Sequence, residues 1–454
     1  MTGKEMLNIL NSPQGEALLA ALYPPEAVIE ERQRYVSLVE GMSAEAGFPK
    51  GCSPSAGTLR IFSAPGRTEL GGNHTDHNRG KVLAASIQMD AIAVVAPRSD
   101  RQVFFRSTGF PDVQVNLEDE DSKPNLAPKP QEKGTTEALI RGIASEFALR
   151  GVEVGGFNAN ASSTVLPGSG LSSSAAVEVL IAKIFDCLFG GGQCSPIELA
   201  QISQKAENNF FGKPCGLMDQ AASASGGAVA IDFADPAIPV VKKIEFNPLA
   251  AGFALCVVNT RGNHVDLTPD YAAIPREMAI VAQFFGKSFL REIDLPQVLS
   301  AAGEIRKSVG DRALLRAIHF FNENRRVDAM SALLEAMNTA VFLDQKKELM
   351  GQFINLVNES GDSSWELLQN IYSPRNTEEQ GISLALAASR EFFRVHGLHA
   401  ACRVHGGGFA GTVQSYIPVE ALEEYRSRMD ALFGHGALTV LHVRPAGAVE
   451  LTPK

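Results

Sequence analysis

The spacing of apolar residues along the first 230 positions predicts both helices and strands. In residues 134–150, Ile140, Ile143 and Phe147 fall on one helical stripe, and Gly151 is placed to end that helix. Residues 1–58 are predicted to be helical and then loop-like. Short apolar or alternating runs, bounded by turn residues, predict strands at 59–62, 91–96, 102–107, 112–117 and 154–164.

The second half of the chain has a more helical pattern. Ser195-Pro196-Ile197-Glu198 is a capping box that begins a helix reaching about Phe210. The remaining predicted elements are strands at 228–233 and 253–260, mostly helix at 276–370 and 376–396, strands at 400–404 and 412–417, a helix at 418–433 and a strand at 438–444. This order predicts an α+β fold with two lobes, 1–230 and 231–454, divided within about twenty residues of position 230.

Composition narrows the class of protein. The chain has 454 residues, a net charge of −10 and no apolar run long enough to span a bilayer, so neither nucleic acid nor membrane is an expected partner. Six cysteines without a CxxC pair indicate a reduced protein without a zinc cage. The first residues include Glu5 and Glu16 and lack a basic cluster, so no secretory signal is expected, and we expect a cytoplasmic location.

The clearest chemical signal is the glycine-serine segment GSGLSSSAA at 168–176. Gly168 and Gly170 permit close backbone approach, and three serines precede a helix predicted to reach about Leu188. Free N–H groups and the helix dipole at such a start favour an anion, above all phosphate. The segment lacks the lysine of a Walker loop and the third glycine of a dinucleotide-binding loop. Taken alone, it is also consistent with a plain serine-capped helix.

Four motifs give the chain a family resemblance. Residues 64–83, APGRTELGGNHTDHNRGKVL, resemble the galactokinase signature Gly-Arg-x-Asn-Leu-Ile-Gly-Glu-His-Thr-Asp-Tyr-Asn. LPGSGLSSSAA at 166–176 is similar to the second motif of the GHMP kinase superfamily, CGLMDQAASASGG at 215–227 to the galactokinase segment Cys-Gly-Ile-Met-Asp-Gln, and RVHGGGFAGTV at 403–413 to the third, glycine-rich motif. They occur in family order. The resemblance implies the two-lobed GHMP kinase fold with the active site in the cleft between the lobes.

The resemblance also implies an activity and a set of site residues. Members of the family transfer the γ-phosphoryl group of ATP to a small-molecule hydroxyl, which is the anomeric hydroxyl of galactose in galactokinases. Asp219 matches the catalytic base, and Arg67 matches the arginine beside it. The residues matching sugar ligands are Asn73, His74, Asp76, Gly216 and Tyr271, those matching the nucleotide loop are Gly168, Ser169, Gly170, Leu171, Ser172, Ser173 and Ser174, and those matching Mg²⁺ ligands are Ser174 and Glu207.

Three departures from the family pattern leave more than one candidate for the acceptor sugar. Asn73 stands where the signature has Glu, and Glu69 stands where it has Asn; His405 replaces a Thr of the third motif. The neutral amide of Asn73 is expected to bond the C6 end of the sugar without charge assistance. Alternatives are a kinase for another galacto-configured sugar such as galacturonate, and a non-catalytic sugar sensor. The intact serine loop argues against the sensor. ATP, Mg²⁺ and a sugar are the only expected partners; no obligate protein partner is indicated.

Overall fold

The computed structural model describes residues 1–42, 59–118, 124–165, 170–262 and 267–452. The helices of this part of the chain are α1 (Gly3–Leu10), α2 (Pro13–Ala20), α3 (Val28–Glu40), α4 (Thr136–Leu149), α5 (Ser173–Phe189), α6 (Pro196–Ala206), α7 (Met218–Ser225), α8 (Thr268–Phe284), α9 (Leu295–Ser300), α10 (Ala302–Val309), α11 (Asp311–Thr339), α12 (Leu343–Ser363), α13 (Gly381–His396) and α14 (Leu422–Phe433). Two π-helical turns, Glu207–Phe211 and Ser364–Leu368, extend α6 and α12.

The strands of the same residues are β1 (Arg60–Gly71), β2 (Lys81–Pro97), β3 (Gln102–Ser107), β4 (Val113–Asn116), β5 (Phe157–Ser163), β6 (Ala228–Asp232), β7 (Val240–Ile244), β8 (Phe253–Asn259), β9 (Ala401–His405), β10 (Thr412–Pro418), β11 (Leu438–Leu441) and β12 (Val449–Glu450). They form an eight-stranded sheet and a four-stranded sheet within the described residues. The predicted α+β class is therefore confirmed.

The larger sheet is organised around β2, which is 17 residues long. Its order is β12-β1-β2-β5-β3-β4, and β6 pairs with the first half of β2 while β7 pairs with β6. Only β3 and β5 run parallel among its ladders. Helices α4 to α7 cover one face, where Ile143, Phe147 and Phe185 are fully buried. Helices α1 to α3 pack near Ile92 and Val94, whose side chains point to the opposite face of β2.

The smaller sheet has the antiparallel order β11-β8-β10-β9. Helices α13 and α14 pack on it through a cluster that includes Leu386, Phe393 and Tyr425. The glycine-rich segment 406–411 connects β9 to β10, so it lies at one end of this sheet. A separate cluster joins helices α8 to α11 through Ile274, Met278 and neighbouring apolar side chains.

Some strands are longer than the apolar pattern predicts, and the structure also contains a strand that the pattern does not predict. We predict that the first strand ends at Phe62, but β1 continues to Gly71 through irregular pairing at Pro65–Arg67 and Glu69–Gly71. Such bulges let a strand accommodate a proline and a glycine without ending. The final strand β12 follows the predicted elements and pairs with β1, with Phe62 opposite Glu450.

The predicted division of the chain near residue 230 stays a prediction. Among the described residues, no helix combines the length and the apolar character that crossing a bilayer requires.

Candidate active site

The centre of the site is a pair of side chains from β1 and α7. Arg67 lies in β1 next to a bulge, and Asp219 lies in the first turn of α7. The guanidinium donates two hydrogen bonds to the carboxylate, from Nε to Oδ1 and from Nη2 to Oδ2, both at 2.7 Å. This two-pronged geometry fixes the plane and the position of the carboxylate. The structure thus brings together the two residues predicted to be catalytic.

The surroundings of Asp219 keep it ionised. Burial alone would raise the pKa of this carboxyl, but the charge of Arg67, the two hydrogen bonds from Arg67 and a third from the Ser172 hydroxyl together lower the pKa below its usual range. Lys213 acts in the same direction. The side chain of Asp219 remains 30% exposed, whereas that of Arg67 is 8% exposed. The charged carboxylate therefore faces the cleft from a fixed position.

The predicted phosphate loop, of which the structure describes residues 170–174, meets this pair at the start of α5. Gly170 has φ +71° and Ser172 has φ +62°, so the chain turns sharply before the helix. The Gly170 carbonyl accepts from the Arg67 guanidinium, and the Leu171 carbonyl accepts from the Arg67 backbone N–H at 3.0 Å. The Ser172 hydroxyl donates to Asp219 rather than capping the helix, which leaves the first backbone N–H groups of α5 available to an anion.

A cavity of about 250 Å³ lies in front of this loop. All four motifs contribute to its lining, through Arg67, Ser172, Ser173, Ser174, Asp219, Gly406, Gly407 and Gly408. Lys213 and Tyr271, which lie outside the motifs, line it as well. Leu171 does not line it, because its side chain is buried in the main core. Gly168 and Ser169 lie outside the described residues, and their assignment to the nucleotide stays a prediction.

The sugar-binding candidates Asp76 and Gly216 are in contact. A Cβ atom placed on Gly216 would overlap the carboxylate of Asp76, so this close approach requires glycine. Asp76 also accepts from the N–H of His77 at 2.9 Å, which orients its carboxylate. The pair belongs to two separate motifs that are 140 positions apart in the chain.

His74 and Tyr271 both reach the glycine loop, which we define as Gly406–Gly408. His74 has φ +57°, and its Nε2 lies 2.9 Å from the Gly407 carbonyl. Burial lowers the pKa of His74 to about 4, so the ring is neutral at neutral pH. Its Nε2–H donates to Gly407 and its Nδ1 is left as an acceptor. The Tyr271 hydroxyl donates to the Gly408 carbonyl at 3.0 Å.

Asn73 is placed differently from the other sugar-binding candidates. Asn73 is buried, with 1% exposed, whereas the other four are partly exposed. Tyr271 lines the cavity, while Asn73, like His74, Asp76 and Gly216, does not. Its amide nitrogen donates to the Glu69 carboxylate and to the Gly406 carbonyl, and its amide oxygen accepts from Asn370. The expectation that this amide bonds the C6 end of a sugar therefore has no support in the geometry.

Glu207, the candidate metal ligand, lies in the π-helical turn after α6. One carboxylate oxygen pairs with the Lys213 ammonium at 3.1 Å, and the other accepts from Gln220 at 2.9 Å. The same Gln220 nitrogen donates to Glu178 at 3.0 Å. Gln220 thus links Glu207 to α5, at a residue one helical turn beyond Ser174.

Sequence patterns did not single out three residues of the site. Lys213 lines the cavity with its side chain 61% exposed, and Gln220 bridges two buried carboxylates. Both lie in or next to the 215–227 motif, so their position in the chain was an available signal. Asn370 follows a π-helical turn and lies in no motif, so only the folded structure places it beside Asn73.

Comparisons with known proteins identify relatives of this chain. Residues 138–227 match the model of the GHMP kinase N-terminal domain, and residues 52–97 match that of the galactokinase galactose-binding signature. The chain is 30% identical to the galactokinase of Glaesserella parasuis over 368 residues, which cover 80% of this chain and 86% of that protein. It is 29% identical to the galactokinase of Clostridium tetani over 382 residues, which cover 82% and 88%.

Comparison with solved structures shows that the fold is that of a galactokinase. The structure superposes on that of Lactococcus lactis galactokinase in complex with galactose with a TM-score of 0.69, at 22% identity, covering 86% of this chain and 95% of the other. The fold and the match at 138–227 define a GHMP kinase, a class of enzymes whose phosphoryl donor is ATP. Within that class, the chain belongs to the galactokinase family, a family of sugar kinases.

We predict that Gly216→Ala displaces Asp76 from its present position. The added methyl group has no room beside the carboxylate, so KM for the sugar should rise about tenfold or more, because small misplacements of binding groups are costly. Steady-state kinetics at saturating ATP measures this effect. Gly303→Ala is the matched control, because nothing lies within 4 Å of a Cβ atom there. Unchanged KM in Gly216→Ala would show that sugar binding does not depend on the position of Asp76.

Proposed function

We propose that the protein transfers the γ-phosphoryl group of ATP to the anomeric hydroxyl of D-galactose, forming α-D-galactose 1-phosphate and ADP. The observation that carries this proposal is the ionised Asp219, held by Arg67 at the edge of a cavity onto which the start of α5 opens. Phosphoryl transfer depends mainly on positioning and charge stabilisation, and the site supplies a fixed acceptor and an anion-binding helix end.

Asp219 is suited to bind the attacking hydroxyl. An ionised carboxylate accepts the hydrogen bond of the anomeric hydroxyl and so aims its oxygen at phosphorus. The lowered pKa of Asp219 makes it a weak base, which is compatible with a loose transition state in which the hydroxyl proton leaves late. That proton passes to the carboxylate as the new P–O bond forms, and the γ-phosphoryl group separates from ADP.

Arg67 has two tasks in this proposal. Its two hydrogen bonds keep Asp219 charged and oriented, and its charge lies beside the position where negative charge accumulates on the transferring group. Because its guanidinium also binds the Gly170 carbonyl, and its backbone N–H binds the Leu171 carbonyl, Arg67 sets the distance between the hydroxyl acceptor and the phosphate loop.

The residues around Glu207 fit a magnesium site. Mg²⁺ prefers few protein ligands completed by water and phosphate oxygens, and one carboxylate with one hydroxyl is such a set. Glu207 is 2% exposed and now pairs with a cation, the Lys213 ammonium, while the nearby Oε1 of Glu178 is buried without a hydrogen-bond partner. Ser174 and Glu207 would hold the ion, which when bound neutralises charge on the phosphates.

The sugar would lie between Asp76 and the glycine loop. The Asp76 carboxylate is able to accept from two neighbouring hydroxyl groups, and the neutral His74 offers Nδ1 as a further acceptor. These acceptors suit a neutral polyol. An acceptor assay with galactose, galacturonate and N-acetylgalactosamine tests the assignment. We expect galactose to give the highest kcat/KM; a preference for galacturonate, or no ATP turnover with any sugar, would overturn it.

Replacing the proposed base gives a direct test of its role. Asp219→Asn should lower kcat by at least about 10²-fold, the usual scale for loss of acid–base participation. The Arg67 guanidinium would also lose its counter-charge. Thermal unfolding must show that the variant is folded, and Asp328→Asn, which changes a 58% exposed carboxylate paired with Lys81, serves as the control. Turnover close to that of the parent would refute the assignment.

Glu207→Ala tests the metal site. We expect a higher Mg²⁺ concentration for half-maximal turnover and weaker binding of Mg·ADP in calorimetry, with little change in sugar binding, because one of the two proposed protein ligands is lost. Glu335→Ala, at an exposed helix position, is the matched control. If the Mg²⁺ dependence of both variants equals that of the parent, Glu207 is not a ligand.

A further inference from the structure

The contacts of Asn73 account for its whole side chain. The amide nitrogen has two hydrogens: one is donated to the Gly406 carbonyl at 2.7 Å and the other to the two oxygens of Glu69 at 3.1 and 3.2 Å. The amide oxygen accepts from Asn370 at 2.8 Å. With both donors used and 1% of the residue exposed, Asn73 has no hydrogen left to give to a ligand.

Glu69 carries the charge that is absent from position 73. Its carboxylate forms an ion pair with Arg403, and the side chains of the two residues are 3% and 0% exposed. Arg403 also donates to the Leu70 carbonyl at 3.0 Å. The galactokinase signature has Asn and Glu where this chain has Glu69 and Asn73, so the two residue types are exchanged. In this chain the carboxylate of the two therefore lies at position 69, where it pairs with a buried guanidinium.

The same contacts hold the glycine loop. Asn73 binds the Gly406 carbonyl, Asn370 donates to the Gly407 carbonyl at 3.2 Å, and His74 donates to that carbonyl as well. A Cβ atom on Gly408 would overlap Asn370, so the loop also packs tightly against this residue. Asn73 and Asn370 are therefore placed to fix a backbone segment that lines the cavity.

We propose that Asn73 is a positioning residue that, together with Glu69 and Asn370, fixes the glycine loop and His74, and that it makes no contact with the acceptor sugar. This inference rests on the proposed function. It implies that selectivity at C6 does not come from position 73 in this chain. It also implies that Glu69 and Asn73 tolerate exchange only as a pair, because each supplies what the other needs.

The first test compares two acceptors that differ only at C6, D-galactose and 6-deoxy-D-galactose. Asn73→Ala should lower kcat/KM for both by the same factor and leave their ratio within about twofold of the parent ratio. Asn370→Ala should also lower kcat/KM for both acceptors by the same factor. In the double variant, kcat/KM should lie within about twofold of the value for either single variant, because the effects of residues that act as one unit are not additive. A selective loss for galactose, with the ratio falling towards one, would overturn the proposal.

The second test exchanges the charges and needs no activity. Asn73→Glu should lower Tm by about 5 °C or more, because it buries a second carboxylate beside Glu69. Adding Glu69→Asn should restore most of that loss and also recreate the residue order of the family signature. If Asn73→Glu keeps the parent Tm and lowers KM for galactose but not for its 6-deoxy analogue, position 73 faces the sugar and the proposal is wrong.

The two proposals fail in distinguishable ways. If the parent protein phosphorylates neither acceptor, the proposed function is overturned, and the Tm comparison still decides whether Glu69 and Asn73 depend on each other. If both acceptors are used but Asn73→Ala changes their ratio, the proposed function stands and the positioning role is refuted. Should Asn73→Ala not fold, the acceptor ratio in Asn370→Ala decides, since both side chains hold the same loop.

Discussion

The site depends on one ion pair, between Arg67 of β1 and Asp219 of α7. The pair joins the edge region of the large sheet to a helix that covers it, and the same guanidinium binds the phosphate loop through the Gly170 carbonyl. One side chain thus fixes Asp219, the proposed acceptor of the sugar hydroxyl, relative to the start of α5. Because Arg67 is buried and Asp219 is partly exposed, the pair presents a charge to the cleft while water has little access to its inner side.

Among the described residues, the smaller sheet contributes a backbone segment, and no charged side chain, to the lining of the cavity. Its glycine loop lines the cavity, and the carbonyl groups of Gly406 and Gly407 accept hydrogen bonds from side chains of other parts of the chain, Asn73, Asn370 and His74. Further inside, His405 lies 3.0 Å from both Thr68 and Thr412, which joins β1 to β9 and β10. A polar network of this kind is stable in the interior because nearly every donor in it has an acceptor.

Sequence reasoning predicted much of the fold and the central pair. Periodicity located α4 and β3 closely, and the motifs named Arg67 and Asp219, which the structure brings into contact. It missed the first half of β2 and all of β12, because short or unusually long strands depend on partners that periodicity does not reveal. It also assigned Asn73 a sugar contact, since a motif position shows which residue type is present but not that Glu69, four residues earlier, would occupy its amide.

The account depends on Arg67 keeping Asp219 ionised, and the pH profile of kcat/KM tests this most directly. Activity that requires the carboxylate rises with pH through its pKa, and Arg67 lowers that pKa. Arg67→Lys keeps a positive charge but loses the two-pronged hydrogen bonding, so the pKa of Asp219 should rise. The acid limb of the profile should therefore move to higher pH than in the parent. An acid limb at the parent's pH, with activity reduced equally at every pH, would contradict the account.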